Sequence, residues 1–223
     1  MRIVLPVLGL WSLSGVPAAT SALAGGRSVW VWEEDTDAML GDDGARRSIF
    51  ALLERQQIST LYLYADERLY AEQTHGRNIL VTEPQKYRTL IAEAHERGFK
   101  VYALLGSMYL KSWEYILPEK RAMAARMFGA VLTFNAGSDD ARSRFDGVNI
   151  DVEPYLLDDW ATARPLRGRQ YLEMSQEFMR LKAAAGSTIQ VGPAIPFWFD
   201  GIDDVEWEGE RRPLSERVQD LYD

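Results

Sequence analysis

The stretch from Gly147 to Glu153 alternates without a break, with Val148, Ile150 and Val152 apolar and Asn149, Asp151 and Glu153 polar. Successive strand side chains point to opposite faces, so this pattern predicts a strand with one apolar and one polar face. Four other runs read as strands. Ser28–Trp32 puts Trp30 and Trp32 on one face, and Ser59–Ala65 sets Tyr62 and Tyr64 opposite Leu61 and Leu63. Lys100–Leu105 and Ile189–Phe197 complete the set. Between them the period lengthens to that of a helix. Arg46–Gln57 gathers Ile49, Leu52 and Leu53 on one side, and Thr82 with Pro84 opens a helix that Gly98 closes. Pro118 starts a third, to about Asn135, and Gly168–Ala185 carries Tyr171, Met174, Phe178 and Leu181 as a core stripe. Pro213–Tyr222 begins a last one. The remaining stretches read as loops. Glu33-Glu34-Asp35 opens a polar loop, and Ile79-Leu80-Val81 is a short extended piece within Glu67–Thr82. Met108–Leu117 and Pro154–Pro165 are aromatic loops, and Glu206–Arg212 is charged and exposed.

Strands that alternate with helices imply a parallel sheet. A strand buried on both faces of such a sheet is apolar throughout, which Gly147–Glu153 is not. The inside of a β/α barrel resolves the conflict. The apolar face then packs on the helix layer, the polar face points inward, and Glu153 stands at the carboxyl end, where barrel active sites lie. The fold class expected is α/β, of the (β/α)8 TIM-barrel type, with about five of the eight βα units present. A closed barrel takes ~250 residues, more than this chain offers. Truncation is expected over an open barrel, because an open sheet edge invites aggregation.

The N-terminus reads as a leader. Arg2 precedes the apolar run Ile3–Leu13, too short to span a bilayer, and Ala22-Leu23-Ala24 supplies small residues for cleavage. The expected division is a signal peptide over 1–24 and the partial barrel over 25–223. The chain has no cysteine, so an exported protein of this kind suits a bacterial envelope or exterior, secreted or periplasmic. A net charge of −8 without a basic run disfavours nucleic acid and anionic membrane as partners. His75 and His95 lack partners at metal-ligand spacing, and there is no Gly-rich phosphate loop, nucleophile elbow or zinc pattern. No metal or cofactor is therefore expected.

The inward face carries the candidate chemistry. Asp151 lies ~6.5 Å along the strand from Glu153 on the same face. Two such carboxyls resist both being charged, so one holds a proton near neutrality. By position Glu153 is the candidate general acid and Asp151 its partner, the two within hydrogen-bonding reach or one water. Asp146 has the opposite parity and is expected to hydrogen-bond near the start of the strand. Aromatic residues at the strand ends can stack on the C–H faces of a sugar: Trp32, Tyr64, Trp113, Tyr155, Trp160 and Trp198, with Tyr109 beside them. Trp113 and Trp160, in loops, are expected to be the exposed ones, and half or more of the set to be core.

Phe145 to Glu153 also resembles the active-site signature of glycoside hydrolase family 18, the chitinase-like barrels, and satisfies all nine positions of it. From Ser28 onward the layout resembles the family too, but only this stretch is specific. The resemblance implies an acid-catalysed cleavage in which the substrate's own N-acetyl oxygen attacks the anomeric carbon, with no enzyme nucleophile. It gives Glu153 the acid role and Asp151 the task of orienting the acetamido group. Asn149 stands where many members carry Asp. Val152 replaces a frequent aromatic residue, and no Met-x-Tyr follows Phe197. The implied function is hydrolysis of a β-linked, N-acetylated polysaccharide. The alternatives are a non-catalytic, lectin-like barrel or an inactive fragment, and a barrel hydrolase for another envelope polysaccharide.

Overall fold

In a computed structural model, which describes residues 26–68 and 77–222, five strands form the sheet. They are β1 (Arg27–Val31), β2 (Ile58–Tyr64), β3 (Lys100–Leu105), β4 (Gly147–Ile150) and β5 (Gln190–Pro193). They lie side by side in chain order, every pair parallel. Right-handed crossovers that always step to the next strand leave every helix on one face. That is barrel-type winding; a doubly wound sheet reverses its strand order partway. The helices are α1 (Glu33–Gly41), α2 (Asp43–Arg55), α3 (Ile79–Thr82), α4 (Pro84–Glu96), α5 (Pro118–Ala136), α6 (Trp160–Ala184) and α7 (Leu214–Leu221). A small antiparallel hairpin, β6 (Glu206–Trp207) with β7 (Glu210–Arg211), precedes α7.

The two faces of the sheet differ as the alternation requires. Val31, Leu61, Leu63, Val101, Ala103, Leu105, Val148, Ile150 and Val191 point at the helices, none more than 4% exposed. The opposite face carries a row of rings, with Trp30 5.4 Å from Tyr62 and Tyr62 5.7 Å from Tyr102. Trp30 Nε1 on β1 donates to Asn149 Oδ1 on β4 at 3.3 Å. In a flat sheet those strands stand three spacings apart, ~14 Å, so the sheet curls about this face. Tyr102 likewise spans β4 to donate to Gln190 Oε1 at 2.6 Å. Gly147 lies between them in register, and a Cβ there would come within 2.1 Å of the Tyr102 ring. The result is a TIM-barrel type of fold with five βα units, in which β1 and β5 do not meet among the described residues.

Several local expectations change. The acidic stretch Glu33-Glu34-Asp35 is the first turn of α1, where the helix dipole favours negative side chains. Thr36 Oγ1 ties it to Val31 O at 2.9 Å. Ile79–Val81 belongs to the short helix α3, which buries Ile79 and Leu80. The helix expected from Gly168 begins at Trp160 and kinks at Ala163, just ahead of Pro165, which has no N–H to give the helix. The signature strand ends at Ile150, short of Glu153. Pro154, with no N–H, starts a 3-10 turn there.

At the amino ends of the strands Asp146 accepts from Val101 N at 2.7 Å and pairs with His95 Nε2 at 2.9 Å. His95 Nδ1 meets Arg142 O at 2.6 Å. This bracket joins α4 to the starts of β3 and β4, on the side of the sheet away from the acidic pair. The leader expected over 1–24 and His75 lie outside the described residues. No described helix is long and apolar enough to cross a membrane.

Candidate functional site

Four strand ends meet in one cleft of about 510 Å³. Trp32 and Glu33 follow β1, Tyr64 ends β2, Gly106 and Ser107 follow β3, and Asp151 and Glu153 follow β4. The cleft is therefore at the carboxyl ends of the strands, as position along the chain dictates.

The acidic pair keeps its strand parity past the end of β4. Asp151 N donates to Leu105 O at 2.7 Å, which carries the β3–β4 pairing one residue further. Val152 is buried against the helices while Asp151 and Glu153 are half-buried on the cleft side. Burial, and then the neighbouring charge of Glu153, pushes the Asp151 carboxyl up to about 6. The close approach needs Gly106. Its φ of +152° is open only to glycine, and a Cβ there would lie 2.2 Å from Asp151 O. Among the described residues no hydrogen bond joins the two carboxyls. Glu153 Oε1 instead accepts from the Tyr155 hydroxyl. Burial, and then that bond to Glu153, raises the Tyr155 phenol far above its ordinary range.

The other sequence-expected residues divide. Trp32, 45% exposed, and Trp113, half-buried, line the cleft. Tyr64 lines its floor with the ring buried, donating to Glu67 O at 2.6 Å. Tyr155 reaches the site through Glu153. Trp198 packs edge-on against Tyr155 at 5.0 Å, and Trp160 stacks on Phe199 at 6.2 Å. Neither lines the cleft, because the kinked start of α6 and the turn after β5 turn them onto each other's neighbourhood. Asn149 sits deeper, holding the Trp30 indole. Tyr109, 66% exposed, stands on the rim with Met108.

Three contributors escape a reading by pattern. Glu33 lines the cleft from the first turn of α1, its carboxyl raised by burial against the opposing pull of Arg68. Asp66, one residue past Ala65 at the end of β2, is completely buried. It accepts from Glu67 N at 2.8 Å and from Tyr115 Oη at 3.3 and 3.1 Å on its two oxygens. Burial pushes it up to about 7. Arg68 is buried too, bonded to Asp37 at 2.6 Å and to Tyr87 Oη at 2.9 Å, with its guanidinium 5.0 Å from the Tyr64 ring. The one sequence signal was place, since all three fall within four residues of a strand end. Among the described residues no group of three or more His, Cys, Asp or Glu is set to hold a metal ion.

No protein-family model matches this chain, and no curated protein matches it. Among solved structures it is similar to a sugar phosphate isomerase/epimerase from Parabacteroides distasonis, with TM-score 0.47 and 12% identity over 93% of this chain and 66% of that one. It is also similar to catalytic domain 2 of the Group II chitinase of Ostrinia furnacalis. One such structure, a mutant in complex with penta-N-acetylchitooctaose, gives TM-score 0.38 and 15% identity over 75% of this chain and 42% of that one. Another gives 0.33 and 16% over 62% and 36%. The chain spans 66% or less of the length of each.

Proposed function

We propose that the chain is an exported glycoside hydrolase-like barrel, led by a signal peptide over 1–24 into the bacterial envelope, whose cleft takes a β-linked, N-acetylated polysaccharide. The observation that carries this reading is the Asp151–Glu153 pair, half-buried at the carboxyl ends of the strands in a cleft that Trp32 and Trp113 also line. Charge narrows the ligand. Among the described residues Glu33, Glu34, Asp35, Asp151 and Glu153 line the cleft, and no lysine, arginine or histidine does. A phosphorylated or uronic-acid ligand would face carboxylates with no cation to offset them, whereas a neutral sugar stacks on the aromatic walls.

In the mechanism Glu153 protonates the glycosidic oxygen as the bond to the anomeric carbon breaks. The substrate's acetamido oxygen forms a bond to that carbon as the leaving sugar departs, and water then opens the ring so made. Asp151, ionised above about 6, accepts the acetamido N–H and aligns its oxygen for attack. The Tyr155 hydroxyl, which donates to Glu153, gives way to the leaving oxygen. A second reading, glycan binding without cleavage, draws on that same Tyr155 bond and on the absence, among the described residues, of a hydrogen bond between the two carboxyls.

Oligosaccharides with and without N-acetyl groups separate these. The hydrolytic reading expects product release from N-acetylated chitooligosaccharides and none from their fully deacetylated counterparts, which lack the internal nucleophile. Equal cleavage of both would remove substrate assistance. Binding of the acetylated oligomers with no product would favour a lectin-like barrel instead.

A further inference from the structure

One wall of the cleft is the turn from Ser107 to Ile116, which presents Tyr109, Ser112 and Trp113. It bonds to itself, with Ser107 N donating to Ser112 Oγ at 2.9 Å and Leu110 N to Ser107 Oγ at 3.3 Å. Lys111 within it has φ 50° and ψ 54°, a left-handed backbone that a residue other than glycine keeps only where its surroundings hold it. The hold comes from Tyr115, 2% exposed, whose hydroxyl reaches Asp66. The same carboxyl accepts from Glu67 N at 2.8 Å and faces the backbone N–H of Gly106. One buried group thus touches the end of β2, the end of β3 and the turn that carries Trp113. Gly106 is also the residue whose missing side chain admits Asp151.

We propose that Asp66 is a positioning residue of the cleft: through Tyr115 it fixes the wall that carries Ser112 and Trp113, and protonation of its carboxyl releases that wall. The proposal rests on reading this cleft as the ligand site. A proton turns one Asp66 oxygen from an acceptor into a donor, and the Tyr115 hydroxyl, which lies against both oxygens at 3.3 and 3.1 Å, then faces a donor. Glu67 N and Gly106 N are fixed by the backbone, which leaves Tyr115 as the partner that moves. The groups facing Asp66 are Tyr64 and Glu67 from its own segment and Tyr115 from the turn, with Glu33 of α1 beyond Tyr64. Arg68 bonds only the backbone oxygen of Asp66, at 3.3 Å, and its charge is taken by Asp37. Among the described residues no cation therefore bonds the carboxylate. Burial, offset by the bonds from Glu67 N and Tyr115, brings its titration to about 7.

The test is made on the full chain labelled with 5-fluorotryptophan and without ligand, the Trp113 fluorine resonance being assigned with Trp113→Phe. Titrated across neutrality, the wild type should show that resonance move in one step with a midpoint near 7. In Asp66→Asn and in Tyr115→Phe it should stay near the wild type's acid position at every pH. A Trp113 resonance that does not respond in the wild type, or that responds unchanged in both variants, overturns the proposal. Should Asp66→Asn fail to fold, Tyr115→Phe, which keeps the ring, decides alone. Chitohexaose binding is then measured on the same samples. Acidification should weaken wild-type binding about tenfold more than it weakens binding by the two variants, in which Asp151 still titrates. No chitohexaose binding by the wild type at any pH would tell against the glycan reading, and the Trp113 resonance would still decide the role of Asp66.

Discussion

Asp151 shows what it costs to half-bury a carboxyl beside another in the cleft. Its folded value of about 6 stands above the ordinary 3.8, through burial and then the charge of Glu153. A raised folded value means that the folded chain binds the proton more tightly than the unfolded one. The stability linked to that proton is full below 3.8 and is lost as pH rises through about 6. Asp151→Asn should therefore be more stable than the wild type above that value and lose the share of the pH dependence that Asp151 contributes, a trade that its proposed role implies. Urea midpoints on either side of the window check this; a variant less stable than the wild type at alkaline pH would contradict it. Gly106 makes the complementary case. Gly106→Ala puts a methyl 2.2 Å from Asp151 O at a φ of +152°, so it should lower stability by about 1–3 kcal/mol, read from the thermal midpoint. At this scale the sequence disclosed Asp151, Glu153 and Val152, because strand parity is a property of neighbours in the chain. It did not disclose Asp66, whose Tyr115 partner is 49 residues away, or the turning of Trp160 and Trp198 away from the cleft.

Elements were legible where a period was long enough to read. All five strands and the helices α2, α4, α5 and α7 stand where alternation and caps placed them, within a few residues. α1 was read as a loop because its buried residues, Thr36, Met39 and Leu40, make a poor stripe beside three acids. The start of α6 was hidden by Pro165, whose kink permits a helix on both sides. The bracket of α4 on β3 and β4 was half visible, since parity set Asp146 aside while nothing local named His95 as its partner. The hydrogen bond to Asp146 raises His95 against the opposing effect of burial. That stability is full below the ordinary 6.5 and is lost as pH rises through the raised value. For Asp146 burial acts upward, but the bonds from His95 and Val101 N outweigh it and hold the carboxyl low. That contribution is present above 3.8 and is lost as pH falls through the lowered value. His95→Gln should accordingly reduce the thermal midpoint at pH below 6.5 and have less effect as pH rises beyond the histidine's raised value. An equal loss at both ends of that range would show packing alone at work.

For the molecule as a whole, regular βα alternation was enough to give a parallel sheet, and the polar inner face of one strand was enough to suggest a barrel. Curvature was not legible, because it rests on contacts such as Trp30 with Asn149, 119 residues apart. That curl, with Gly106 admitting Asp151 between the ends of β3 and β4, is what brings four strand ends around one cleft. The central claim is that Glu153 in this cleft is the acid of a glycoside cleavage. Turnover and binding of N-acetylated chitohexaose, measured side by side for the wild type and Glu153→Gln, test it most directly. Gln keeps the shape and the sugar contacts but has no proton to donate, so turnover should fall at least ~100-fold while binding is retained. Turnover in Glu153→Gln equal to that of the wild type would contradict the account.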